Sequence, residues 1–105
     1  MATNVDPIMR RFRAALDEAY GDRIERVVLF GSRARGDARP DSDWDVAVFL
    51  KDLKDLWTES GVLAGIETEI LMDEGAVINA RPFEAGQDRE RTIFMSELRR
   101  DGVDL

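Results

Sequence analysis

The sequence predicts an α/β (α+β) domain, a small mixed sheet flanked by helices. Three observations carry that expectation. Apolar residues recur at helical spacing in the segments around residues 7–20 and 53–74. Two short apolar runs, Val27–Phe30 and Val46–Leu50, are uninterrupted, as in strands covered on both faces. The two kinds of segment alternate along 105 residues, which packs helices onto a sheet rather than separating them into layers of one kind.

The first helix opens at Asp6-Pro7, with Asp6 as N-cap and Pro7 at the first helical position. Ile8, Met9, Phe12, Ala15, Leu16, Ala19 and Tyr20 give it one apolar face, and Gly21-Asp22 ends it. Ile24 to Phe30 is the first strand, broken by Gly31. A short helical turn follows from Ser32 to about Gly36, and Asp37 to Ser42, with Pro40, is loop. The second strand spans Asp43 to Leu50. Trp44, Val46, Val48 and Leu50 share one face of it, and Asp43, Asp45, Ala47 and Phe49 the other. Lys51-Asp52 turns the chain into a second long helix, with Leu53, Leu56, Trp57, Leu63, Ile66 and Ile70 inward and an end near Glu74-Gly75. Ala76 to Ala80 is the third strand, ended by Pro82. A last helix runs from about Gly86 to Arg100, with Ile93, Phe94 and Leu98 inward, Arg99 and Arg100 at its C-terminal dipole, and Gly102 beyond. Phe12, Trp44 and Trp57 are expected in the core. No repeat, linker or low-complexity tract divides the chain, so the expectation is one domain over 1–105.

Composition narrows the chemistry. With no cysteine and no histidine, a disulfide framework, a Cys/His zinc site, a cysteine nucleophile and a Ser-His-Asp triad are all excluded. Enzymatic work must run on carboxylates, hydroxyls, Arg, Lys and bound metal. A net charge of -7 argues against stable DNA binding, which draws its affinity from Lys and Arg on phosphates. Residues 1–40 hold eight arginines against six acids, whereas the rest of the chain is strongly acidic. No apolar run reaches the ~20 residues of a membrane span. Met1–Arg13 carries no secretory signal pattern, so a cytoplasmic location is expected.

The chemistry concentrates in Leu29–Leu50, LFGSRARGDARPDSDWDVAVFL. Its first half is a strand, Gly31-Ser32 and a short helix. Unpaired N–H groups at a helix start suit a phosphate, Gly31 allows close backbone approach, and the Ser32 hydroxyl can cap the turn or donate to a phosphate oxygen. Arg33, Arg35 and Arg39 could add charge-assisted bonds. Its second half is Asp43-Trp44-Asp45. Residues i and i+2 of a strand point the same way, ~6.6 Å apart from a rise of ~3.3 Å per residue. Two carboxylates so aligned suit a hard cation such as Mg²⁺. Gly-Ser after a strand, or a lone D-x-D, is more often a capped turn or a solvated strand start. Together, one at the end and one at the start of an apolar strand and twelve residues apart, they are far more specific.

In these residues the sequence resembles the DNA polymerase beta-like nucleotidyltransferase superfamily, whose signature is Gly-Ser followed about a dozen residues later by Asp-x-Asp. The run Gly31-Ser32-Arg33-Ala34-Arg35-Gly36 with Ser42-Asp43-Trp44-Asp45 is similar to the minimal nucleotidyltransferase group of small prokaryotic proteins. The resemblance implies a polymerase beta-like core. It implies that Gly31 and Ser32, with Arg33 and Arg35, hold a nucleoside triphosphate, and that Asp43 and Asp45 ligate Mg²⁺ (or Mn²⁺). It implies transfer of a nucleotidyl group, AMP from ATP, to a hydroxyl acceptor with release of pyrophosphate. One departure stands out. The superfamily usually adds a third carboxylate from a neighbouring strand, and here that strand reads Ala76-Val77-Ile78-Asn79-Ala80, with Asn79 as its nearest polar residue. Asp73 and Glu74 precede it and Glu84 follows it, and none is assigned the role. Minimal nucleotidyltransferases often work beside a small helical protein of the HEPN type in toxin–antitoxin pairs. The resemblance therefore leaves three readings open: a catalyst, an antitoxin-type partner of a HEPN-like protein, and a nucleotide-binding module without turnover.

Overall fold

A computed structural model describes residues 6–105; the first five residues of the expected domain, and the start of the Met1–Arg13 segment, lie outside the described residues. The elements are α1 (Pro7–Tyr20), β1 (Ile24–Phe30), α2 (Ser32–Arg35), β2 (Trp44–Leu50), α3 (Leu56–Glu74), β3 (Ile78–Glu84), α4 (Ile93–Asp101) and β4 (Val103–Asp104), with 3-10 turns at Gly21–Arg23 and Gln87–Arg89. The four strands form one mixed sheet in the order β3-β2-β1-β4. β1 is antiparallel to both β2 and β4, and β2 is parallel to β3.

Helices cover both faces, which is why the central strands are apolar throughout. On one face Met9, Phe12, Leu16 and Tyr20 of α1 and Leu63 and Ile70 of α3 pack against Val27, Leu29, Trp44, Val46, Val48, Leu50 and Ile78. On the other, Met95 and Leu98 of α4 cover Val28, Ala47 and Phe49, with Phe30, Phe83 and Phe94 at the margin. The expected division of β2 into two faces is the observed one. Asp6 caps α1, its carboxylate accepting from the Ile8 N–H at 2.7 Å, and Pro7 opens the helix. Asp55 caps α3 by accepting from the Trp57 and Thr58 N–H groups. These bonds to the ionised form hold its carboxyl below the usual range, the Thr58 hydroxyl contributing most.

The structure corrects the sequence reading in five places. First, β3 does not stop before Pro82; it runs on to Glu84, with Pro82 paired to Val48. β3 is an edge strand, and alternation places the N–H groups of its even-numbered residues outward. Ala80 N–H donates outward to Glu67 at 2.7 Å and Glu84 N–H to Gln87 at 2.8 Å. Pro82, between them, has no N–H to lose. Second, the last helix starts at Ile93, capped by the Thr92 hydroxyl, rather than near Gly86. Ile93 is 81% exposed, and Met95 takes the inward place. Third, α3 starts at Leu56 rather than Leu53, and Leu56 and Trp57 are solvent-exposed, Trp57 to 88%. Fourth, α2 has Gly31 as its N-cap and no side-chain capping bond, so Ser32 is the first helical residue and not the cap. Fifth, the chain ends in a short unanticipated strand. β4 pairs Val103 and Asp104 with Leu29 and Val28. It lies flat against β1 because Gly102 has no side chain; a Cβ there would stand 2.5 Å from a Val28 methyl and overlap the Leu98 carbonyl oxygen. Among the described residues no helix is long and apolar enough to cross a membrane.

Candidate active site

The site forms where β1 ends and β2 and β3 begin. The antiparallel register sets Phe30 beside Asp45, so Gly31 leaves the sheet at the start of β2. Gly31 has φ 77° and ψ -158°, a region open essentially to glycine alone. It also abuts Asp45, since a Cβ at Gly31 would lie 2.5 Å from Asp45 Oδ2. The missing side chain therefore lets the carboxylate lie directly against the backbone at Gly31. From there α2 turns the chain for four residues. The Ala34 and Arg35 N–H groups both donate to the Gly31 carbonyl, leaving the first N–H groups of the turn pointing outward.

Asp43 and Asp45 lie one residue before β2 and at its second position, Asp43 exposed and Asp45 half-buried. The parallel register brings Asn79 of β3 level with Asp45, where the third carboxylate was sought. Asn79 Nδ2 donates to Asp43 Oδ2 at 2.9 Å, and Trp44 N–H to the Val77 carbonyl at 2.9 Å clips the two strand starts together. Asn79 thus orients Asp43 and adds no negative charge. Its role was hidden in the sequence because an amide in a strand carries no signature until its neighbour is known.

The arginines divide. Arg33 folds back on its own loop. Its guanidinium donates to the Ser42 carbonyl at 2.8 and 3.1 Å and to the Pro40 carbonyl at 3.1 Å, and lies 4.0 Å above the Trp44 ring. Arg33 and Trp44 together hold the loop that delivers Asp43. Arg35 is exposed, near Asp37 at 3.4 Å, and lines a cleft of about 500 Å³ with Phe30, Gly31, Phe94, Leu98 and Arg100. Arg39 is exposed, and its backbone N–H donates to the Ser42 hydroxyl at 2.9 Å.

The structure adds Arg81. It sits two residues beyond Asn79 on the same face of β3, its guanidinium 4.8 Å above the Phe94 ring and 5.6 Å from that of Phe83. The pair Asn79 and Arg81 repeats the i, i+2 spacing that singled out Asp43 and Asp45. It was legible only once the strand was known to pass through Pro82.

Among the described residues no group of three or more His, Cys, Asp or Glu is placed to hold a metal. Asp43 and Asp45 nevertheless suit Mg²⁺ arriving with a triphosphate, because that ion usually takes one or two carboxylates and fills its remaining positions with phosphate oxygens and water. Asp45 packs against the Gly31 backbone, which sets its carboxylate beside the start of α2, where the unpaired N–H groups suit those phosphates. Glu67, on the outward edge of β3, is the nearby carboxyl with a displaced affinity for protons: burial pushes it up, partly offset by the Ala80 N–H.

Comparison with known proteins bears on this arrangement. Residues 9–99 match the family model of the nucleotidyltransferase domain. Two candidate protein adenylyltransferases of Methanocaldococcus jannaschii are similar in sequence. MJ0604 is 34% identical over 73% of this chain and 71% of its own length, and MJ0141 is 39% identical over 47% of this chain. The match spans half the length of MJ0141. A crystal structure of a candidate nucleotidyltransferase from Sulfolobus solfataricus superposes with a TM-score of 0.65 at 20% identity, over 92% of this chain and 75% of that one. A toxin-antitoxin crystallised with AMP-PNP superposes at 0.62 with 16% identity, over 90% of this chain and 69% of that one. The mixed sheet flanked by helices is the polymerase beta-like core expected from the sequence.

Proposed function

The chain belongs to the nucleotidyltransferase domain family, and on that premise we propose that it transfers a nucleotidyl group, AMP from ATP, to a hydroxyl of a protein acceptor. The observation that carries this reading is the direct apposition of Gly31 and the Asp45 carboxylate, with Asp43 oriented beside them by Asn79. Gly31 and the open N–H groups of α2, with the Ser32 hydroxyl, receive the triphosphate; Asp43 and Asp45 hold Mg²⁺ (or Mn²⁺). The bound cation supplies charge stabilisation at the reacting phosphate. The acceptor hydroxyl's oxygen forms a bond to the α-phosphorus, the bond from that phosphorus to the bridging oxygen breaks, pyrophosphate leaves, and the hydroxyl's proton passes to solvent water. Asn79 has no lone pair basic enough to take the acceptor's proton at neutral pH, so the protein works by positioning and by charge. In this reading Arg35 faces the phosphates, Arg33 acts through the loop it holds, and Arg81 meets the acceptor on the β3 side.

The test uses each α-labelled nucleoside triphosphate with Mg²⁺ or Mn²⁺ and lysate from the protein's own source. The reading expects label from ATP on one acceptor and its loss, by a hundredfold or more on the scale of removing electrostatic stabilisation, in Asp43→Asn/Asp45→Asn. Full activity in that variant would refute it. A second reading, an antitoxin-type partner of a small helical HEPN-like protein, is favoured by the likeness to toxin-antitoxin structures and by an amide in the third position. It expects co-purification with the product of an adjacent gene, and triphosphate binding without label transfer would favour it over catalysis.

A further inference from the structure

The cleft of about 500 Å³ that Gly31 and Arg35 line continues past them along α4. Phe94, Glu97, Leu98 and Asp101 stand at i, i+3, i+4 and i+7, one stripe of that helix about 10 Å long. Gly31 abuts Asp45 and Phe30 is level with it in the sheet, so one end of the cleft opens at the carboxylate pair. The Phe30 ring lies 5.2 Å from that of Phe94 and carries the wall across to α4.

The charged groups of the cleft sort by what they already bind. Arg100 and Asp101 satisfy each other through contacts of 2.9 and 3.1 Å. Arg35 keeps a single 3.4 Å contact to Asp37, and a guanidinium has five N–H donors, so most of its own are unspent. Glu97 is exposed, and its carboxylate pairs with none of the described residues. Phe30, Phe94 and Leu98 supply the apolar lining. The unspent groups are therefore a cation beside Gly31, apolar walls, and a lone carboxylate on α4.

That set is the complement of a nucleotide: an anionic tail, a flat ring, and a donor on the ring's edge. A carboxylate only accepts hydrogen bonds. It suits the exocyclic amino group of adenine, which donates, and repels a carbonyl oxygen presented in the same place, as on uracil. We infer that this cleft receives the ribose and base of the nucleotide, and that Glu97 selects an amino-bearing base, adenine in the proposed reaction, by accepting from its amino group. The inference rests on that reaction for the triphosphate at Gly31 and adds to it the residue that reads the base.

Calorimetric titration of the full chain in Mg²⁺ tests it with three probes. These are ATP, purine riboside triphosphate, which differs from ATP only in lacking the amino group, and inorganic tripolyphosphate. The wild type is expected to bind ATP about tenfold more tightly than purine riboside triphosphate, the scale of one hydrogen bond to a charged group. In Glu97→Ala, an exposed change to the best helix former, the two nucleotides should bind alike, with no loss of affinity for purine riboside triphosphate or tripolyphosphate. Glu97→Gln, which keeps an acceptor oxygen, should retain part of the preference. Equal binding of the two nucleotides by the wild type would overturn the inference. So would a preference for ATP that survives Glu97→Ala, a loss of tripolyphosphate binding in that variant, or a wild type that binds tripolyphosphate and neither nucleotide. In each of these cases the triphosphate site of the proposed reaction still stands. A wild type that binds none of the three probes would remove both.

Discussion

Gly31 determines whether the Asp45 carboxylate can lie against the start of α2. Its φ and ψ exclude other residues at a cost of ~1–3 kcal/mol, and a Cβ on it would overlap the Asp45 carboxylate oxygen. Gly31→Ala is therefore expected to lower stability by about that amount and to abolish transfer together, read by thermal melts and by label incorporation. Asn79 makes the complementary case. Asn79→Asp would replace a donor to Asp43 with a third negative charge, destabilising the metal-free protein through repulsion. Mg²⁺ should then raise the melting temperature of Asn79→Asp more than that of the wild type, and equal shifts would show that β3 does not face the ion. The apposition of Gly31 and Asp45 could be anticipated from spacing along the chain, because strand ends fix both. The turning of Arg33 onto carbonyls 40 and 42 could not. A guanidinium two residues after a glycine reads the same in sequence whether it faces a phosphate or its own loop, and the path of that loop decides.

Among the elements, β3 is where chain pattern and structure part. Pro82 reads as a terminator only if its missing N–H is needed, and at the outward edge of a sheet it is not. The long α1 and the central strands were legible because their apolar periods are uninterrupted. The last helix was misplaced because the 3-10 turn Gln87–Arg89 carries residues as helix-compatible as those of α4. Glu67 ties α3 to β3, and its acidity offers a test. Since its folded carboxyl binds protons more readily than the unfolded one, the native state holds more protons from the ordinary glutamate range upward, and stability falls as pH rises through that window. Glu67→Gln still offers an oxygen to the Ala80 N–H but does not titrate. Its melting temperature should match the wild type in acid and exceed it towards neutrality; a deficit at neutral pH would contradict this account.

Across the whole molecule, one face of the sheet is closed by two long helices and the other only partly, by α4. The fold class was visible in the sequence because both faces leave their mark on β2, apolar at every position from Val46 to Leu50. The exposure of Trp57 was not visible, since an aromatic on a helix looks inward until the helix is placed. The margins of the sheet have a consequence of their own. β4 is two residues long, and the outward side of β3 offers an N–H already bound to Glu67, a proline, and an N–H already bound to Gln87. At these places the margins offer an unfolded neighbour few free N–H groups on which to lay down a strand. Association of this chain with another is then expected to run through side chains rather than by extending the sheet.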